Sequence, residues 1–525
     1  MYLCTIMWLS PQDGDTMVHR ICKEILGMMG YQPPPQDSLF HYHVYLEDRV
    51  RIDHPLRKVR EIIDFDFIYG EVKDVYGTTG NVSVPPPVIL KLMFLLLFYN
   101  VRSERELMET LPERLDWLWF LGYGLDSSIP NHSVLSKARK RWGENVFKGF
   151  FERIVVQCVE NRLVDGEKVF MDASLIDAHA SSNSVVKTDA LKRYLNEGYR
   201  ELDRRLDEVH VSEKSGVNGR HVSATDPDAS IVRYAGGKSK LRYKTHRSID
   251  ALDEVITAVE TTTGAVSEAS RMASLVDIHT VNTGIQPKAV VADSQYGTIE
   301  NLLICHDRNL RPHMPTVHAR NKHTGSRKDI YPEEAFVYDE SSDTYRCPAG
   351  KKLTRRAYHS HRHTTEYMAK KKDCGACKLK SRCTRDNSGR SVQRAIRKED
   401  LDAMLAITKS PEARQDLRTR QHCMERSYAR STRYGFDRAR WRGLWKVAIQ
   451  EYLVCTIQNI ETLIRRTERP VKAVLSLSPI YAEGPRSENP QLKSLKTVSQ
   501  NKVTLCKAVS PVFTGANRYS IFQKA

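Results

Sequence analysis

The sequence predicts an α/β protein, with an all-α N-terminal region followed by strands alternating with helices and interrupted by a Cys/His-rich insertion. Three observations predict it. Residues 85–142 carry helical patterning only. From about 150 to 466, short apolar and β-branched runs alternate with helical stretches. Residues 320–400 are basic, rich in His and Cys, and poor in apolar periodicity.

The elements follow in order. Pro33, Pro34 and Pro35 break any helix in the first 40 residues, which read as a variable extension or a mis-assigned start. Pro85, Pro86 and Pro87 stand where a helix can begin, and Val88 to Tyr99 is apolar almost all round, so it should be buried. Ser103 can cap a short helix through Met108, with Glu106 in the capping-box position. The stretch Ile129 to Ser133 forms a turn and N-cap for a helix from Val134 to Trp142 that carries Lys137, Arg139, Lys140 and Arg141. Two readings of this module stand side by side: a helix-turn-helix DNA reader, or a structural bundle with a solvated basic face.

Further on, Val169 to Ile176 reads as an apolar strand, Lys187 to His210 as a helix, Ala251 to Thr262 as strand-forming, and Ala289 to Ala292 as a buried strand. Helical pattern returns from about 412 to 466. Residues 467–525 are rich in Pro, Ser and Lys without a period and read as a disordered tail.

Composition narrows the function classes. The chain has 525 residues, with 81 Lys plus Arg against 64 Asp plus Glu, a net charge of +17. Such a surplus favours a polyanionic partner. The longest apolar run, Val88 to Phe98, is interrupted by Lys91 and is too short to span a bilayer. Eleven cysteines without an export signal read as reduced thiols in a cytoplasmic protein. The chain carries no Walker-type phosphate loop.

Three carboxylates stand out by context. Asp172 lies within the strand Phe170-Met171-Asp172-Ala173, Asp293 ends the strand at Ala292, and Glu425 opens a helix in Met424-Glu425-Arg426-Ser427-Tyr428. A carboxylate in a buried strand needs charge compensation. Its hard oxygens suit Mg²⁺, which keeps positions open for phosphate oxygens. The bland reading of each acid alone is a turn or helix cap; the inference rests on the set.

Phe170 to Ser181 resembles the first acidic motif of bacterial insertion-sequence DDE transposases, Val291 to Gly297 their second, and Glu425 to Ala429 with Tyr434-Gly435, Arg442-Gly443-Leu444 and Gln458-Asn459 their third. Asp53 to Arg57 and Ile129 to Ser133 resemble their N-terminal helical DNA-binding domain, and Asp226 to Ala229 and Tyr243 to His246 match landmarks between the first two acids. The sequence departs from the family pattern at Thr432, where Lys is usual, at Gln295, usually Gly or Lys, and at His179, a common Asn.

The resemblance implies an RNase H-like mixed sheet with flanking helices. It further implies metal-dependent cleavage at terminal inverted repeats, followed by strand transfer. Asp172, Asp293 and Glu425 would be both catalytic and metal-binding, holding two Mg²⁺ ions for which Mn²⁺ can substitute. Lys137, Arg139, Lys140, Arg141, Arg426, Arg430 and Arg433 would contact DNA. The partners would be double-stranded DNA, both element ends and target, and further copies of the chain in a homodimer or higher multimer, with no membrane. The setting would be a prokaryotic cytoplasm, at the nucleoid. A catalytically decayed or repurposed DNA-binding protein is the alternative; a nuclease that cuts without joining would use the same acids.

Cys347, Cys374, Cys377 and Cys383 cluster in the insertion, with His359, His361 and His363 between them. They read either as a four-thiolate Zn²⁺ site or as reduced thiols in a basic loop. The expected divisions are a variable extension (1–40), a helical DNA-binding domain (41–150), a first catalytic part (151–320), the insertion (321–400), a second catalytic part with the third acid (401–466) and the tail (467–525).

Overall fold

The computed structural model describes residues 45–76, 83–188, 216–233, 237–316, 330–360 and 364–467. The expected N-terminal extension and C-terminal tail lie outside them. So does nearly all of the expected helix from Lys187 to His210, and Lys187 itself ends a strand.

Among the described residues seven α-helices come first: α1 (Leu46–Arg49), α2 (Pro55–Ile62), α3 (Ile68–Val72), α4 (Pro86–Phe98), α5 (Glu104–Thr110), α6 (Leu115–Leu121) and α7 (Ser133–Glu160). Helix α4 starts with two prolines in its first turn and buries nearly every side chain. Its one charge, Lys91, lies over the rings of Phe65 and Phe120, 5.5 Å from each centroid. Ser103 caps α5 by accepting from the Glu106 amide. Helix α7 runs past Trp142, the expected end, through a non-helical Gly143 at φ 73°. Its second half reaches α14 (Leu444–Thr467), where Phe151 packs on Tyr452. The helices and the sheet share one core, running from Leu56 and Phe150 to Ile249, Val291 and Ile449.

The main sheet is mixed. Its strands are β1 (Lys168–Asp177), β4 (Ser230–Arg233), β5 (Ser239–Asp250), β6 (Ile256–Thr263), β7 (Ala289–Val291) and β8 (Arg311–His313); β2 (Val185–Lys187) and β3 (His221–Ser223), the latter preceded by α8 (Val217–Arg220), form a separate ribbon. The order is β4-β5-β1-β7-β8, with β6 also paired to β5. Strand β5 is antiparallel to β1 and β6, whereas β1, β7 and β8 are parallel. Parallel neighbours need crossovers, and α9 (Met272–Thr283) and α10 (Ile299–Asp307) supply them. Strand β6 begins later than Ala251 because Asp250 turns the chain, accepting from the amides of Leu252 and Gly166.

The insertion, poor in apolar periodicity, nonetheless has its own architecture and apolar core. Strands β9 (Val337–Asp339), β10 (Thr344–Arg346), β11 (Lys352–His359), β12 (Thr364–Ala369) and β13 (Ser391–Ala395) make an antiparallel sheet, with α11 (Lys371–Gly375) between the last two. Phe336, Tyr345, Leu353, Tyr367 and Val392 are buried together. Aromatic side chains do this work: Tyr338, Tyr345 and Tyr367 pack with centroids 5.0–6.0 Å apart, and the hydroxyls of Tyr338 and Tyr367 both reach Asp343.

The chain then returns through α12 (Lys398–Thr408) and α13 (Pro411–Thr432) to α14. Among the described residues no helix is long and apolar enough to cross a membrane.

Candidate active site

The parallel pairing of β1 with β7 sets Phe170 opposite Val291. Asp172 and Asp293 each stand two residues further on, so equal steps bring both carboxylates to the same edge of the sheet. The Asp172 side chain is 26% exposed, and Oδ1 accepts from the Ala173 amide at 2.9 Å. Asp293 turns the chain by accepting from the Gln295 amide at 2.8 Å. Tyr296 is then fully buried, and Gly297 meets the next strand's exit so closely that a Cβ would lie 2.0 Å from the Pro315 carbonyl oxygen. This crowding explains the glycine in Asp293-Ser294-Gln295-Tyr296-Gly297.

A third acid joins them, and it was not foreseen. Carboxylate oxygens of Asp172, Glu268 and Asp293 lie within 4.8 Å of one another. Glu268 opens a 3₁₀ turn, Glu268–Arg271, between β6 and α9. Lys244 Nζ lies 3.4 Å from it and donates to the Val266 carbonyl. Burial pushes the Asp172 carboxyl up to about 6; Arg420 opposes that rise, while Asp293 and Glu268 add to it. Burial likewise raises Glu268, against Lys244.

Helix α13 closes the site. Arg420 Nη2 lies 2.8 Å from Asp172 Oδ1, its Nε donates to the Met171 carbonyl, and the Tyr428 hydroxyl donates to the Asp172 carbonyl at 3.2 Å. Glu425 lies between these anchors, in the C-terminal half of the 22-residue helix, not at a helix start as expected. Its side chain is exposed, accepts from Gln421 Nε2 at 3.0 Å, and is not in the close set of three. The helical pattern expected from about 412 matches the true start, which Ser410 caps, so Glu425 stands well inside the helix.

The residues fit a divalent cation. Three hard carboxylates converge, flanked by two fixed cations, and compensation for the remaining charge is what a Mg²⁺- or Mn²⁺-type ion supplies. A second set within 4.8 Å, His313, Glu412 and Asp416, is already neutralised: Lys168 lies 2.8 Å from Asp416, and Arg311 pairs with Glu412.

The expected DNA contacts divide. Lys137, Lys140 and Arg141 are exposed on α7. Arg139 is not: it is 4% exposed, ion-paired with Glu104 and stacked 4.0 Å over Trp441, so it ties α7 to α5 and to the segment before α14. This corrects its assignment to DNA; its spacing from Leu135 and Trp142 places it on the inward face. Arg426 and Arg430 line a groove of about 230 Å³ with Asp253, Glu254, Arg465 and Arg466. Arg426 pairs with Glu254; Arg430 Nη2 also lies 4.0 Å from Glu254, and neither it nor Nε has a hydrogen-bond partner among the described residues. Arg433 is 73% exposed beside Tyr434, and Thr432 donates to the Ala429 carbonyl.

The four insertion cysteines line one small cavity of about 20 Å³. The Lys351 amide donates to Cys347 Sγ at 3.3 Å. No three of these sulfurs lie within 4.8 Å of one another. His361 and His363 are outside the described residues.

Comparison with known families finds two matches. Residues 44–141 match the transposase domain DUF772. Residues 346–464, which include Glu425, match the transposase DDE domain. Asp172 and Asp293 fall between the two matched stretches. No curated protein matches the chain. Two transposase domains, matched on either side of a sheet edge that gathers acids, support an insertion-sequence DDE transposase, an enzyme that cleaves and joins DNA.

Proposed function

We propose that the protein binds the terminal inverted repeats of an insertion sequence, cuts there, and joins the freed 3′-hydroxyl to target DNA. The observation that carries this is the placement of Asp172, in β1, beside Asp293, two residues past the parallel β7, next to the helix bearing Glu425. The strand order β6-β5-β1-β7-β8, antiparallel then parallel, supports an RNase H-like core between residues 151 and 466, with the helices of 41–150 as its DNA-binding partner.

Asp172, Asp293 and Glu425 would hold two Mg²⁺ ions, which supply activation of the attacking oxygen and stabilisation of the leaving one. The chain's residues position these parts. Arg420 and Tyr428 fix β1 against α13, and Lys137, Lys140, Arg141, Arg430 and Arg433 meet DNA phosphates. Arg426 joins them by releasing Glu254. Two ends must meet, so the working form is a dimer or larger, acting on chromosomal DNA in a prokaryotic cytoplasm.

Cys347, Cys374, Cys377 and Cys383, which line one cavity, would hold one Zn²⁺ as thiolates. Protein purified without added zinc that carries far less than one equivalent, yet melts as the zinc-loaded protein does, contradicts this.

The test uses wild-type protein, Mg²⁺ and labelled duplexes carrying the element's ends. Cleavage at the end followed by joined product is expected. Nicking without joining makes it a nuclease, and DNA binding without cleavage a repurposed binder.

A further inference from the structure

The acidic cluster contains a residue that the three-acid reading does not use. We propose that Glu268 is a ligand of the divalent cation in the DNA-free protein, completing with Asp172 and Asp293 an all-oxygen site for a Mg²⁺- or Mn²⁺-type ion. This rests on the reading that Asp172 and Asp293 hold metal.

Geometry comes first. Each of the three acids offers an oxygen within 4.8 Å of the other two, whereas Glu425 stands apart with its carboxylate exposed on α13. Glu268 is also held in place. The Lys244 ammonium binds both its carboxylate and the Val266 carbonyl, Ser270 Oγ donates to the Ser267 carbonyl, and Asn301 Nδ2 donates to the Ala269 carbonyl at 3.0 Å. A carboxylate whose backbone is fixed on both sides keeps its aim without a ligand present.

A second observation is independent of the acids. Tyr296 is fully buried, and its hydroxyl has no hydrogen-bond partner among the described residues. Glu268, Asp172 and Asp293 are all close enough for their charges to oppose its ionisation. A buried hydroxyl in the neighbourhood of three carboxylates, with no hydrogen-bond partner among the described residues, lacks the bond that such a group ordinarily makes. A cation that brings water into the cluster provides one.

Charge agrees. Three carboxylates face two fixed cations, Lys244 and Arg420. Lys244 flanks Glu268 and Arg420 flanks Asp172, while no ion pair reaches Asp293 among the described residues.

The test is Mn²⁺ titration of the full chain without DNA, followed by electron paramagnetic resonance, on wild type, Glu268→Gln, Glu268→Asp and Asp293→Asn. Thermal melts establish that each variant is folded. Wild type is expected to bind. Glu268→Gln should weaken binding by about tenfold or more, as Asp293→Asn does, and Glu268→Asp should recover part of the loss. Glu268→Gln that binds within about twofold of wild type, while Asp293→Asn loses the ion, overturns the assignment of Glu268 alone. Mn²⁺ binding unaffected by Asp293→Asn overturns the acid-site reading and this inference with it. Wild type that binds no Mn²⁺ without DNA overturns the DNA-free site.

Discussion

Arg420 on α13 grips β1 at Asp172: its Nη2 lies 2.8 Å from the carboxylate, and its Nε donates to the carbonyl of the preceding Met171. The guanidinium therefore joins the helix bearing Glu425 to the strand bearing Asp172. It also opposes the burial that pushes the Asp172 carboxyl up to about 6.

Removing that cation should raise the carboxyl further and leave less of it ionised in mild acid. Arg420→Met, assayed at low Mg²⁺, is expected to move the acid limb of the activity profile to higher pH. The loss should be about tenfold at pH 6 and smaller at pH 8. An equal loss at every pH would show that Arg420 acts only through packing.

Arg247 and Glu451 form an ion pair with both side chains 0% exposed, 2.9 Å apart, and Arg247 also donates to Ser431 on α13. Arg247 is opposite Asp172 in the β1–β5 register. Removing one partner leaves a buried charge, so Arg247→Met should destabilise by about 3–5 kcal/mol in urea unfolding, and adding Glu451→Leu should recover part of it. A double variant no more stable than the single would mean the pair is not the source.

Arg139 and Lys140 are adjacent on α7 yet should behave oppositely. Arg139→Ala breaks the buried contacts to Glu104 and Trp441 and should lower the melting temperature. Lys140→Ala should leave stability within about 0.5 kcal/mol and reduce the salt dependence of DNA binding by about one unit of slope. An unchanged slope would remove this face of α7 from the DNA interface.

His279 is buried between Thr257 and the Gly166 carbonyl, and burial holds it down to about 4 from an ordinary 6.5. Between those values the unfolded chain binds more protons than the folded one. Stability should therefore be full above pH 6.5 and decline as pH falls to 4, with on the order of 3 kcal/mol at stake from this group. Unfolding free energies across that range should show a shallower decline in His279→Gln than in wild type.

Much of the site was legible in the chain because strand-end acids in apolar runs are local signals. Phe170-Met171-Asp172 and Val291-Ala292-Asp293 each show a carboxylate against a buried strand, and the parallel register then places both together. Glu268 was illegible: Ser267-Glu268-Ala269 follows a strand in an ordinary turn, and only the return of β6 past β5 brings it to Asp172. Arg139 was misread because a basic run on a helix contains inward positions as well as outward ones. The core of the insertion was missed because tyrosines, spaced by hairpins rather than by helical periods, build it.

The central claim is that Asp172 and Asp293 hold the metal for DNA cleavage and joining. The most direct measurement compares wild type with Asp293→Asn on labelled element ends with Mg²⁺, scoring cleavage, strand transfer and DNA binding together. Loss of cleavage and joining by at least about 100-fold in the variant, with DNA binding retained, is expected. A variant that cuts and joins like wild type would contradict the claim.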